Sequence, residues 1–266
     1  MLKKWYEKSE IGFSLLWIAL YVLVMNAALR FCGGLDDLAG KTAGQLLAPV
    51  ACILVLAALL TVWVIRSGLG AKYGLCRFQG NHKTFLWFIP LVVLSCINLK
   101  NGLGLNAPLA VSLLMMVNMA VAGYVEEMIF RGFLFRAMAK DNLKSAIIVS
   151  AVTFGAGHIV NLVNTADTLG VLLQVGYAIA IGFLYTVIVC RGGSLWPCIL
   201  SHMFVNGSSV FALEQGFFSD LVGAIFGQTS FDLVSVCSSA LIMAVSGIYA
   251  RWLWKKAKDM PVRSER

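Results

Sequence analysis

Residues 42–65 read TAGQLLAPVACILVLAALLTVWVI, an uncharged stretch between Lys41 and Arg66. About 20 apolar residues suffice for a helix to cross the roughly 30 Å hydrocarbon core of a bilayer. Ionisable residues divide the rest of the chain in the same way, into eight long uncharged runs: 11–29, 42–65, 84–99, 101–125, 145–166, 168–190, 192–213 and 233–250. The pattern predicts an all-α, polytopic transmembrane helical bundle of about eight spans.

The composition agrees with a membrane location. Of the 266 residues 59% are hydrophobic and 13% are charged, about half the charged fraction of a soluble domain. We therefore expect one integral membrane domain over residues 1–266, with the lipid bilayer as its surroundings.

The positive charges indicate the orientation. With eight spans both termini lie on one side, which then carries 18 Lys and Arg residues against 3 on the other. Cytoplasmic loops carry the excess of Lys and Arg, so the prediction is N-in and C-in. Basic loops near anionic headgroups also explain the net charge of +8, without a nucleic-acid partner.

Polar residues inside the apolar runs are functional candidates by default, because they are costly there. Glu127 and Arg131 are four residues apart and can pair on one helix face. Glu126 lies about 100° away from Glu127 around the helix, so it keeps no partner on its own helix. Such a carboxylate can act as a general base. The alternative is a pair of interfacial acids that cap a positive loop.

Two histidines lie deep in apolar runs. His158 follows Phe154-Gly-Ala-Gly, and small residues there allow another helix or a peptide to approach. His202 and Asn206 are four residues apart, so both address one helix face. Together they offer two donors aimed at one point, as an oxyanion requires. Taken singly, each could be a packing residue or a polar helix–helix contact; three coincident packing roles are less plausible than one site.

In this order the motifs Glu126-Glu127-x-x-x-Arg131, Phe154-x-x-x-His158 and His202-x-x-x-Asn206 resemble the signature of the CAAX protease and bacteriocin-processing family (CPBP, or Abi) of intramembrane endopeptidases. The resemblance places a catalytic core at residues 120–210. It implies that Glu126 activates a water with help from His158, and that His202 and Asn206 stabilise the oxyanion. It also implies supporting roles for Glu127 and Arg131, which would hold the helix end, and for Phe154, which would shape the pocket.

The resemblance leaves two kinds of chemistry open. We favour a glutamate mechanism without a cofactor, because His202 paired with Asn206 suits an oxyanion clamp better than half a ligand set. The alternative is a metalloprotease, in which zinc or another divalent metal is held by Glu126, His158 and His202. These ligand types are acceptable for zinc.

The predicted function is intramembrane proteolysis of a peptide or membrane-protein substrate near the cytoplasmic interface. Arg131 is expected at the water boundary, which would put Glu126 about 7–8 Å into the membrane. The compact size favours a bacterial plasma membrane, with a role in peptide maturation or bacteriocin self-immunity. Two alternatives are a non-catalytic membrane regulator or immunity factor of the same fold, and a transporter that uses the buried Glu and His as a proton relay.

Overall fold

The structure, a computed structural model, describes residues 2–33, 39–78, 84 and 86–256. Within these ranges the protein is helical and contains no strand, which confirms the predicted all-α class. The α-helices are α1 Leu2–Lys8, α2 Glu10–Phe31, α3 Ala43–Arg66, α4 Ile89–Ser95, α5 Leu109–Glu127, α6 Phe135–Ala139, α7 Leu143–Gly157, α8 Thr168–Gly192, α9 Trp196–Ser209, α10 Phe217–Phe226 and α11 Phe231–Lys256. The end of the basic loop at 79–83 and the basic tail at 257–266 lie outside the described residues.

Six helical stretches in the described part of the chain are long and apolar enough to cross a membrane. They are Glu10–Phe31, Ala43–Arg66, Leu109–Ala139, Leu143–Val163, Thr168–Gly192 and Phe231–Lys256. Many of their large apolar side chains face outward, such as Leu23, Val55 and Ile248, as expected where the surrounding solvent is lipid. The chain is an integral membrane protein.

The two remaining runs, 84–99 and 192–213, form shorter helices. Pro90 lies in the first turn of α4, where its missing N–H is harmless, so it begins a helix instead of kinking one. α9 starts only at Trp196, because Gly193 ends α8 with a φ of 70°. The 14 residues of α9 give a helix of about 21 Å, short of a bilayer core. Eight spans therefore remain a prediction, of which six are supported.

Basic side chains gather at one end of the bundle, which we call the basic end. Glu10 at the start of α2 accepts hydrogen bonds from Lys72 at 2.7 Å and from Lys140 at 2.6 Å. Arg191 donates to the backbone oxygen of Trp254 at 3.2 Å. These contacts bring the loop after α3 and the ends of α6, α8 and α11 to the same side of the molecule.

The other end of the bundle, which we call the opposite end, carries a second set of loops. Asn101 donates to the backbone oxygen of Glu214 at 2.7 Å. Leu103 forms an isolated antiparallel bridge with Ala212. The segment before α5 therefore lies against the segment after α9, away from the basic end.

The helix from Leu109 to Ala139 forms the centre of the site. It is continuous over 31 residues, and Met128–Leu134 is π-helical, a local geometry frequent at functional sites. Arg131 lies in this π segment with none of its side chain exposed. The predicted position of Arg131 at the water boundary therefore does not require an exposed side chain, and its depth in the membrane stays a prediction. The guanidinium can be buried because Glu127 accepts its hydrogen bond at 2.8 Å.

Glycines bring the site-bearing helices together. A Cβ on Gly123 of α5 would lie 3.1 Å from the carbonyl carbon and 3.2 Å from the Cγ of His202 in α9. A Cβ on Gly155 of α7 would lie 2.8 Å from the backbone oxygen of Val175 in α8. Small residues allow such close approach between membrane helices. The His202 ring is thereby held against the helix that carries the two glutamates.

Candidate active site

The predicted site residues come from three parts of the bundle. Glu126 and Glu127 are the last two residues of α5, and Arg131 follows in the π segment. Phe154 lies near the end of α7, and His158 begins the 3-10 segment after it. His202 and Asn206 lie on α9. The structure places five of them, Glu126, Phe154, His158, His202 and Asn206, in the walls of two cavities, and buries Glu127 and Arg131 beside them.

Glu127 is the centre of a buried hydrogen-bonded group. Its Oε1 accepts from Nη1 of Arg131 and from Nδ1 of His202, both at 2.8 Å. The side chains of Glu127 and Arg131 are fully buried. The predicted pairing of these two residues is confirmed, whereas the bond from His202 was not predicted. Because a carboxylate opposite an arginine only accepts, His202 carries a proton on Nδ1 and turns Nε2 towards Glu126.

Glu126 has partners from distant helices instead of its own. Tyr21 on α2 donates its hydroxyl to Oε1 of Glu126 at 2.5 Å. Oε2 of Glu126 lies 3.4 Å from Nε2 of His202, too far for a strong hydrogen bond. The Glu126 side chain is 12% exposed, and it borders a cavity of about 150 Å³. One carboxylate oxygen is thus fixed, and the other has no hydrogen-bond partner within the described structure.

His158 is oriented by the end of its own helix. Its Nδ1 lies 3.0 Å from the backbone oxygen of Phe154. A carbonyl only accepts, so Nδ1 carries a proton and Nε2 of the neutral ring is free to accept one. The ring stands edge-to-face on Phe154, with centroids 5.1 Å apart. His158 can therefore accept a proton or hold a water in the cavity.

The ring of Phe154 packs against Arg131 and both histidines. The guanidinium carbon of Arg131 lies 4.1 Å from the centroid of its ring, which is a cation–π contact. The ring also meets His202 edge-on at 5.7 Å. Phe154 thus covers the buried ion pair and forms a wall beside both histidines, as its predicted role requires.

The two cavities meet at the predicted residues. The larger has a volume of about 560 Å³ and is bordered by His202 and Tyr185, among others. The smaller is bordered by Tyr21 and Glu126. Phe154, His158 and Asn206 border both. A peptide bond at this junction would be near the glutamate, both histidines and the amide of Asn206.

The predicted metal alternative depends on which ring nitrogens are free. No group of three His, Cys, Asp or Glu side chains close enough to hold a metal ion is found among the described residues. Nδ1 of His202 is bonded to Glu127, and Nδ1 of His158 to a backbone oxygen, which leaves Nε2 of both rings. Zinc-binding histidines usually donate their other ring nitrogen in this way, so zinc held by Glu126, His158 and His202 stays an alternative.

Sequence reasoning missed two polar residues of the site. Tyr21 lies in the first apolar run, where nothing local distinguishes it from a packing aromatic. Asn118, eight residues before Glu126, is 3% exposed and borders the smaller cavity. Its Oδ1 has no hydrogen-bond partner within the described structure. The polar side chain of Asn118 in the middle of the apolar run 101–125 could have identified it as a candidate, because such residues are costly in a membrane.

Comparison with known proteins bears on the segment that carries the motifs. Residues 108–208 match the family model described as "Type II CAAX prenyl endopeptidase Rce1-like". A protein of Bacillus subtilis (strain 168), named "Putative membrane peptidase YdiL", is 33% identical over 98 residues. That match covers 36% of this chain and 36% of the relative's own length. The resemblance to the CAAX protease family is confirmed for this segment.

Proposed function

We propose that the protein is an intramembrane endopeptidase in which Glu126 activates a water molecule. The observation that carries the proposal is the different treatment of two adjacent glutamates. Glu127 is paired with Arg131 and bonded to His202, whereas Glu126 borders a cavity and its Oε2 has no hydrogen-bond partner within the described structure. The family match over residues 108–208 and the name of the bacterial relative support a peptidase.

The first step is proton removal from water. Glu126 takes the proton, helped by the free Nε2 of His158, and the water oxygen attacks the carbonyl carbon of the substrate. Both residues border the smaller cavity, which has room for a water molecule. Glu126 then returns the proton to the leaving amine when the intermediate collapses, so that one carboxylate acts first as base and then as acid.

The second element is stabilisation of the oxyanion. Asn206 offers its side-chain amide, and His202 offers Nε2 from one turn earlier on α9. Since Nδ1 of His202 already donates to Glu127, this role requires the doubly protonated ring. Oε2 of Glu126 lies 3.4 Å from Nε2 of His202 and balances that charge, since Glu127 is paired with Arg131. Preorganised donors of this kind are a major source of catalysis in acyl transfer.

Tyr21 has a positioning role in this proposal. Its hydroxyl holds Oε1 of Glu126, which leaves Oε2 for the water. Tyr21 lies on α2, outside the segment that matches the family model. In this proposal α2 contributes to the active site together with the core at residues 120–210.

Removal of the Tyr21 hydroxyl should slow cleavage. A hydrogen bond to a charged group contributes about 1.5–3 kcal/mol, so Tyr21→Phe should lower kcat by roughly tenfold to hundredfold with little change in KM. The control is Tyr124→Phe, whose hydroxyl pairs with Thr61 at 2.6 Å and does not touch the glutamate. Equal kcat values for the two variants would refute the positioning role.

The enzymatic reaction can be tested without a known substrate. The purified protein in detergent is incubated with a mixed pool of peptides, and new termini are identified by mass spectrometry. We expect cleavage that persists after treatment with a strong zinc chelator. If the chelator abolishes cleavage and added zinc restores it, the glutamate mechanism is wrong and the metalloprotease alternative is supported. A pool left intact by the wild-type protein would contradict the peptidase proposal.

A further inference from the structure

The larger cavity is long and follows one helix. Its wall on α8 runs from Gly170 to Tyr185, which corresponds to about 22 Å at 1.5 Å per residue. The deep end holds His158, His202 and Asn206. The cavity therefore reaches from the proposed catalytic groups almost to the start of α8.

The length of the cavity fits a short peptide. The cavity has a volume of about 560 Å³. An extended chain rises about 3.3 Å per residue, so a length of about 22 Å corresponds to about six or seven residues in extended form.

The exposed residues of the cavity lining lie at the opposite end of the bundle. They include Asp167, Glu214, Asp220 and Thr229. Lys100 also lines it, beside the contact of Asn101 with Glu214. The described lining contains no residue of the basic end.

The positive charges identify this end as non-cytoplasmic. Thirteen Lys and Arg residues of the described chain lie at the basic end of the bundle: Lys3, Lys4, Lys8, Arg66, Lys72, Arg77, Arg136, Lys140, Lys144, Arg191, Arg251, Lys255 and Lys256. The opposite end has three, namely Arg30, Lys41 and Lys100. By the positive-inside rule the basic end faces the cytoplasm.

We infer that the larger cavity is the substrate-binding site and that it takes an extended peptide segment from the non-cytoplasmic side of the membrane. This inference rests on the proposed peptidase function and names its substrate class. The substrate is an exported peptide or an extracytoplasmic segment of a membrane protein, in unwound form. It differs from the expectation of a substrate cleaved near the cytoplasmic interface.

Chemical blockage of the cavity tests the site. Ser235 on α11 lines the cavity, whereas Asp232, one turn earlier, is exposed and does not. Each protein is treated in detergent with a charged methanethiosulfonate. The rate at which Ser235→Cys cleaves the peptide pool should then fall at least tenfold. The rates of treated Asp232→Cys and of treated wild type, the control for the seven native cysteines, should stay within twofold of the rate of untreated protein. Undiminished cleavage by fully labelled Ser235→Cys would overturn the inference.

The side of access is tested by labelling with the same membrane-impermeant reagent in intact cells. Ser235→Cys should be labelled from outside, and Ser67→Cys at the basic end only after permeabilisation. The reverse pattern would overturn the extracytoplasmic assignment. Failure of the proposed peptidase function would give a different result. The wild-type protein would then show no cleavage that depends on Glu126, and the inference about the cavity would fail with it.

Discussion

Glu126→Gln should lower the rate of peptide cleavage at least a hundredfold while the protein still folds and inserts. The amide keeps the size of the carboxylate and can still accept from Tyr21, but it cannot take a proton from water. General bases contribute about 10²–10⁴-fold, so the loss should appear in kcat. The measurement is the initial rate of cleavage of the peptide pool by purified protein, together with its thermal stability in detergent.

The matched control for this change is Glu10→Gln. Glu10 is a carboxylate at the basic end, paired with Lys72 and Lys140, and it lines neither cavity. We expect Glu10→Gln to keep cleavage within about twofold, since the change leaves the cavity walls intact. A Glu126→Gln protein with more than a third of wild-type activity would rule out Glu126 as the base. If the biological phenotype also survives in a cleavage-deficient Glu126→Gln strain, the non-catalytic regulator becomes the better explanation.

Arg131→Met should destabilise the protein by about 3–5 kcal/mol, the usual cost of leaving one partner of a buried ion pair uncompensated. The Arg131 and Glu127 side chains are both fully buried, so no water can replace the lost guanidinium. The change also removes the contact with the Phe154 ring, whose centroid lies 4.1 Å from the guanidinium carbon. The free energy of unfolding is measured by titration with a denaturing detergent.

A double variant separates charge from packing. Replacing Glu127 by Gln in the Arg131→Met background removes the orphaned charge, and should recover a large part of the lost stability. Arg30→Met, at an exposed position on α2, is the control and should change stability by less than about 0.5 kcal/mol. If Arg131→Met alone is as stable as this control, the buried pair of Arg131 and Glu127 does not stabilise the bundle.

The local pairing in the site was predictable because helix periodicity is a property of the sequence. Residues four apart share a face, which is why the pairing of Glu127 with Arg131 could be stated in advance. The same rule placed His202 and Asn206 on one face of α9. Contacts between helices could not be stated, because the bond from His202 to Glu127 and that from Tyr21 to Glu126 depend on how α9 and α2 pack against α5.

The burial of Arg131 was not predicted, for a related reason. A charged residue after an apolar run ordinarily marks the membrane boundary, and Arg131 was interpreted in that way. The helix continues through the π segment to Ala139, and Arg131 is instead neutralised inside the bundle. Burial of an ion pair depends on partners from other helices, such as Phe154 and His202, which a single run of sequence does not contain.

By itself, the sequence determined that this chain is a helical membrane protein and which polar residues are candidates for its chemistry. Uncharged runs and helical spacing are local properties of the sequence. An apolar run favours burial in lipid, and residues four apart share a helix face, wherever the segment lies in the fold. The tertiary structure decided that Glu127 is paired with Arg131, that Glu126 borders a cavity, and that the exposed residues lining the larger cavity lie away from the basic end. These properties depend on distances between helices, and those distances are set by packing at positions such as Gly123 and Gly155.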